Sequence, residues 1–192
     1  DKQDSKYSAW ILTPQFHPGV GFDVGWLGGW PDGAAMGASL DGWRSGGQEL
    51  AADFNQVIDC SGRHELATAM PVYAPDGPGG SGTVMFAACS KADGKGWDDV
   101  IAAHTKMGKM MRGKGGKPSS SWMFFPGLGS GDYDFDYWQV ITFNSYADFG
   151  ATSEAYINGG GYEESMKTMA GVTECGGGVM FDATVVRNVS GN

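Results

Sequence analysis

The sequence is short of positive charge, because 13 lysines and arginines stand against 22 aspartates and glutamates and give a formal net charge of -9. A chain with this negative field repels phosphate backbones and anionic lipids, so we expect no binding to nucleic acid or to a membrane surface. The sequence also lacks an apolar run of about 18 residues, so no membrane span is predicted. Its opening residues, "DKQDSKYS", have neither the apolar core nor the cleavage site of a signal peptide, so we expect any export signal to have been removed already.

Cysteine and histidine are scarce, with three residues of each. They show no grouping with metal-ligand spacing, so we predict no metal site. Glycine is abundant instead, with 33 residues, and 41% of the chain is hydrophobic. A sequence of 192 residues with this composition is expected to form one large or two small globular domains with many tight turns.

Two stretches of the sequence, residues 7–47 and 119–160, match each other. Aligned with a single one-residue slip, they pair Trp10 with Trp122, Pro14 with Pro126, Phe22 with Phe135, Asp23 with Asp136, Trp30 with Phe143, Gly37 with Gly150, and Trp43 with Tyr156. A match of this length predicts a duplicated domain, because the units of a solenoid would be shorter and more numerous.

The second half of the chain contains the whole predicted unit. Alternating apolar residues predict strands at 82–90, 120–127, 135–143 and 178–186, and helical patterns at 97–111 and in "YEESMKTMAGV" predict helices. The order β-α-β-β-α-β is that of a ferredoxin-like unit. The first half lacks the first strand and the first helix of this order. It begins with the second strand and has a third strand at 22–30 and a last strand at 65–73. We therefore predict an incomplete first unit over 1–74, a linker at 75–82 and a complete second unit over 83–192.

The incomplete first unit leaves a gap in its predicted sheet. The absent first strand is central in this plan, so its neighbours need a partner, either a missing N-terminal segment or another chain. The cysteines indicate the same gap. Cys89 and Cys175 lie on adjoining predicted strands and are expected to form a disulfide, whereas Cys60 aligns with Cys175 and its own partner is left open. The alternative is three free cysteines in a cytosolic protein.

The three cysteines and the paired segments "SAWILTP" and "SSWMFFP" carry a resemblance to a known superfamily. The chain resembles the dimeric α+β barrels, in the form where two ferredoxin-like units are fused in tandem, and more closely small exported bacterial proteins of uncharacterised role. The resemblance implies an α+β barrel built from two βαββαβ units, the first without its first strand and helix, and a periplasmic or secreted location. Since the superfamily includes haem-degrading monooxygenases and haem peroxidases, it also makes haem a candidate cofactor.

Three residues are candidates for catalysis. His104 lies on the apolar stripe of the predicted helix 97–111, and in haem-binding relatives a histidine that faces the barrel interior is an axial ligand or a general base. The alternative is a core histidine whose hydrogen bonds are satisfied. Asp23 and Asp136 occupy matched strand positions, and together they would form an acid–base pair. Alternatively, each stabilises the turn before its strand.

Aromatic residues on the second and third strands of both units predict a ligand site between the sheets. Trp10, Trp26, Trp122 and Tyr137 are expected to line it, with Gln139 as an orienting polar group. The same residues suit a plain hydrophobic core.

Three functions therefore stay open. The first is an exported module that binds a small apolar molecule or docks a partner. The second is a haem- or oxygen-using enzyme of the monooxygenase or peroxidase type that acts through His104. The third is a structural subunit of an envelope or extracellular assembly. An absorption spectrum of the protein purified from its source separates the second from the others.

Overall fold

The computed structural model describes residues 6–59, 62, 64–74 and 79–189. These residues form an α+β fold in which the strands join one curled antiparallel sheet, a half-barrel. The strands are β1 (Ser8–Phe16), β2 (Gly25–Gly29), β3 (Ala67–Tyr73), β4 (Gly82–Lys91), β5 (Ser120–Pro126), β6 (Tyr137–Phe143), β7 (Thr173–Cys175) and β8 (Val179–Arg187). The helices are α1 (Gly33–Gly46), α2 (Gln48–Phe54), α3 (Trp97–Gly113), α4 (Tyr146–Ile157) and α5 (Gly161–Met169). The predicted α+β class and barrel-like sheet are confirmed.

Side-chain caps fix where the helices begin. The carboxylate of Asp32 accepts a hydrogen bond from the Ala35 amide at 2.7 Å at the start of α1, and the Ser145 hydroxyl accepts one from the Asp148 amide at 3.1 Å at the start of α4. At the start of α3, the side chain of Asp99 accepts a hydrogen bond from its capping residue's amide at 3.0 Å. These bonds satisfy amide groups that have no partner within the helix.

The strands follow one another across the sheet in the order β2-β1-β8-β4-β6-β5-β3, and β7 pairs with one end of β4. Every pairing is antiparallel. The two halves of the chain share the sheet, because β1 pairs with β8 and β3 pairs with β5. The strands β2 and β3 stand at its two ends.

The sheet has two apolar faces. On the helix-covered face, Val100 of α3 packs among Cys89, Met123 and Tyr137. On the opposite face, which we call the helix-free face, the buried cluster consists of Leu12, Val84, Val140 and Phe181, packed against further strand residues and Val20. Alternation along each strand separates the two sets, since neighbouring side chains point to opposite faces.

Several predicted boundaries shift. The strand predicted at 135–143 begins at Tyr137. Just before it, the amide of Asp136 donates to the Cys89 carbonyl at 2.9 Å and its carboxylate accepts from the Lys91 amide at 2.8 Å. The strand predicted at 22–30 is shortened to β2, and the helix predicted at 97–111 extends to Gly113. Cys60 and residues 75–78 of the predicted linker lie outside the described residues.

Candidate functional site

The predicted disulfide between Cys89 and Cys175 is present. Both cysteines lie in strands, directly opposite each other in the pairing of β4 with β7. The bond closes a loop with a sequence separation of 86 residues and holds the short β7 against the end of β4.

His104 belongs to a chain of hydrogen bonds on the helix-covered face. Its Nε2 atom lies 2.7 Å from the Tyr137 hydroxyl, which lies 2.7 Å from the Thr173 hydroxyl. The Thr173 hydroxyl in turn donates to the carbonyl of Ser90 at 2.9 Å. The side chains of His104, Tyr137 and Thr173 are all buried, so this chain links α3, β6, β7 and β4 inside the core.

The donor at each step follows from counting protons. The single proton of the Thr173 hydroxyl goes to the Ser90 carbonyl, so the Thr173 oxygen accepts the proton of Tyr137. The proton of Tyr137 is then committed, so Nε2 of His104 must donate. Burial lowers the pKa of His104 to about 4 and raises the pKa of Tyr137 to about 12, with the charge of Asp136 adding to the latter. Both groups are therefore neutral at pH 7, and His104 carries its proton on Nε2.

These contacts place His104 on the helix-covered face of the sheet and not in the barrel interior. Its ring lies on the helix-covered face, edge-on to Tyr137 with 5.7 Å between ring centroids. Nε2 donates its hydrogen to Tyr137, so this nitrogen has no lone pair to offer an iron. The surroundings match the alternative prediction of a core histidine with a hydrogen-bond partner.

Asp23 and Asp136 do not lie on neighbouring strands. Asp23 precedes β2 and Asp136 precedes β6, and the sheet order places β1, β8 and β4 between those strands. The Asp136 amide donates to the Cys89 carbonyl and the Asp136 carboxylate accepts from the Lys91 amide, and both bonds stabilise the start of β6. For Asp136, these contacts agree with the alternative prediction of a residue that stabilises the turn before its strand.

The five residues predicted to line a ligand site divide between the two faces. Trp10 and Trp122 pack on the cluster of the helix-free face. Tyr137 is in the core of the helix-covered face, and Gln139, two residues later on the same strand, donates to the Ser121 hydroxyl at 3.0 Å. Trp26 contacts Phe54 of α2 with their ring centroids 5.8 Å apart, so it points towards the helices.

Other aromatic residues join Trp10 and Trp122 on the helix-free face. Phe86 is central to this group, because its ring contacts those of Phe181, Phe124 and Trp138 at centroid distances of 5.8, 6.2 and 6.4 Å. Sequence reasoning missed Phe86 and Phe181. The signal was available, since Phe86 alternates with Val84 in the strand sequence "GTVMFAACS".

The two end strands of the sheet each have one partner. Among the described residues, β2 pairs with β1 alone and β3 pairs with β5 alone, so each presents an open row of backbone amide and carbonyl groups. The segment 65–73 does not pair with the strand near 22–30, which agrees with the predicted gap between them. Exposed edges of this kind can pair with another strand.

An apolar patch lies beside the open edge of β2. It consists of Trp26 on β2 and Leu50, Phe54 and Val57 on or just after α2, and we call it the α2 patch. The side chain of Val57 is 83% exposed, and those of Trp26 and Leu50 are each 51% exposed. The residues Leu50, Asp53, Phe54 and Val57 line a shallow depression of about 220 Å³. Neither α1 nor α2 buries a residue, whereas α3 buries four.

No described helix has the length and apolar character needed to cross a membrane. Within the described part of the chain, no three His, Cys, Asp or Glu side chains are placed to hold a metal ion. No known family model matches the sequence, and no curated protein is significantly similar to it.

Proposed function

We propose that this chain is an exported docking module that accepts one β-strand of a partner polypeptide between β2 and β3. The observation that carries the proposal is the pair of open edges at the two ends of a single curled sheet. Addition of a strand to an open edge is a common mode of polypeptide recognition, because the backbone supplies the hydrogen bonds and the alternating side chains supply specificity.

The directions of the strands support a single inserted strand. Because all pairings are antiparallel, β1, β4 and β5 run one way and β2, β3, β6 and β8 run the other. The two end strands are therefore parallel to each other. One strand that runs in the direction of β4 would be antiparallel to both and would bring the seven strands of the path to eight, a number that closes into a barrel filled by side chains.

The sequence repeat supports the same insertion. In the second half of the chain, β4 lies between β6 and β8. In the tandem ferredoxin-like arrangement, β2 and β3 hold the places of β6 and β8 in the first half, and the inserted strand holds the place of β4. The helix caps agree with this alignment, since Asp32 and Ser145 begin α1 and α4 at matched positions.

The disulfide supports export, because disulfides persist in the periplasm and outside the cell. Donation of the strand by an envelope or extracellular protein would make the chain a structural subunit of an assembly there.

A tethered strand tests the proposal. A second copy of Gly82–Lys91, with its cysteine replaced by serine, is fused ahead of the full chain through a Gly/Ser linker of about 20 residues, which spans about 25 Å on average. We expect the amides of both β2 and β3 to exchange more slowly in the tethered chain than in the chain without a tether. The matched control carries proline in place of the copied Phe86, because proline removes a donor and breaks the ladder. Protection of neither edge, or equal protection with the proline control, would overturn the proposal.

A second candidate function is the binding of a small planar apolar molecule on the helix-free face. The aromatic group around Phe86 favours it, since Trp10, Trp122, Phe124 and Trp138 are only partly buried there. An anilinonaphthalene dye serves as the probe, and we expect Trp122→Leu to weaken its binding while Val57→Asp leaves it unchanged. If only Val57→Asp weakens binding, the dye occupies the α2 patch and this candidate fails.

A further inference from the structure

We infer that the docked strand continues into an amphipathic helix that covers the α2 patch, so that the partner is a strand–helix polypeptide with basic residues on its helix. This inference rests on the proposed strand docking and adds the class of the partner. It commits to a polypeptide of the same plan as Gly82–Gly113, the segment formed by β4, its connection and α3.

The α2 patch is continuous with the docking edge. Trp26 lies within β2, the edge strand itself, and its ring meets Phe54 of α2 edge-on. The depression lined by Leu50, Phe54 and Val57 extends the apolar surface away from the strand. A partner that supplied a strand alone would leave this surface in water, whereas a helix following the strand would bury it.

The second half of the chain shows how such a helix packs. There α3 follows β4 and lies against α5, α4 and β3, with Val100, Ala103 and Met111 buried. Within the described residues, α1 and α2 have no comparable helix against them, and they bury no residue. By the same plan, the partner helix would contact α1, α2 and β8, where Val186 is 46% exposed on the helix-covered face.

The negative charge around the α2 patch favours a partner helix with basic residues. The segment from α1 through α2 carries Asp41, Glu49 and Asp53 against the single cation Arg44, and Asp53 lines the depression itself. The helix α3, which holds the matching place in the second half, carries Asp98 and Asp99 in its first turn and the cations Lys106, Lys109 and Arg112 in its later turns. Opposite charges at the rim of an interface favour the correct partner and speed its association.

The experiment compares two tethers on the full chain. One is the strand tether described above, and the other is a copy of Gly82–Gly113 with its cysteine replaced by serine, joined through a short Gly/Ser linker. We expect both to slow amide exchange in β2 and β3. Only the strand–helix tether is expected to slow exchange in α2, by about tenfold or more.

Variants of the full chain test whether the added protection of α2 depends on the α2 patch. Val57→Asp is expected to fold normally, because the side chain is 83% exposed, and to cancel the added protection of α2 while leaving that of β2 and β3. Val57→Ile, the matched control, is expected to preserve it. If the strand–helix tether protects α2 no more than the strand tether does, this inference fails and strand docking stands. If neither tether protects the edges, both proposals fail.

The oligomeric state of the untethered chain completes the test. Light scattering is expected to give a monomer at the concentrations used. A dimer that protects β2, β3 and α2 without any tether would show that a second copy covers these surfaces, and it would overturn the assignment of a strand–helix partner.

Discussion

The hydroxyl of Tyr137 is the hydrogen-bond partner of two other buried polar side chains. It accepts from Nε2 of His104 and donates to Thr173, both at 2.7 Å. The sequence placed His104 on the apolar stripe of a helix and offered a satisfied core histidine as one interpretation. It did not show that Tyr137 and Thr173 would be its neighbours, because that requires the register of β6 and β7 against β4.

Tyr137→Phe is expected to lower the free energy of unfolding by about 1–3 kcal/mol, because it leaves the His104 donor without an acceptor in a buried site. Tyr162→Phe makes the same chemical change at an exposed tyrosine and is expected to stay within about 0.5 kcal/mol of the wild type. Urea denaturation of both variants provides the measurement. Equal effects would contradict the hydrogen-bond chain.

The pH dependence of stability tests the state of His104. Its pKa is about 4 in the folded protein, against 6.5 for a histidine exposed to water in the unfolded chain, so between these values the unfolded chain binds a proton that the folded chain does not. The free energy of unfolding should therefore fall as pH drops from 6.5 towards 4, by about 3 kcal/mol in total from this group. Above pH 6.5 its contribution is fully present.

Urea denaturation at several pH values measures this slope. His104→Gln keeps an N–H donor and removes the titrating group, so its stability should change less over the same pH interval. A slope equal to that of the wild type would show that another group is responsible.

At the scale of the elements, secondary structure was predictable where the apolar residues recur either with the alternation of a strand or with the spacing of a helix. The strand β4 and the helix α3 have clear alternation and a clear helical stripe, and both were predicted within a few residues. The strand β2 was harder, because "GWLGG" contains three glycines and few side chains that show alternation. The side to which Trp26, Tyr137 and Gln139 point depends on which residue begins each strand, and a shift of one residue reverses the face.

The disulfide is an interaction between elements, because it joins β4 to β7. Cys89→Ala with Cys175→Ala is expected to lower the free energy of unfolding by roughly 3–5 kcal/mol, since the bond closes a loop with a sequence separation of 86. Denaturation of the wild type under reducing conditions should give a similar loss. A reductant effect in the double variant as large as in the wild type would contradict this assignment.

At the scale of the whole molecule, the sequence repeat predicts a gap in the sheet, and the strand path has two open ends. The alignment of residues 7–47 with 119–160 leaves the first half without a counterpart of β4, and the sheet ends at β2 and β3, the strands between which that counterpart would lie. The exposure of Leu50, Phe54 and Val57 was not predictable from sequence. An apolar helix face has the same pattern whether the surface opposite it is occupied or missing.

Amide hydrogen exchange of the unmodified, monomeric chain tests the open edges most directly. Amides of β2 and β3 that point away from β1 and β5 should exchange at nearly the rate of exposed groups, while those of β4, β6 and β8 should be protected on both sides. Uniform protection along β2 and β3, equal to that of β4, would mean that the sheet is already closed, and it would contradict the proposal that a strand docks there.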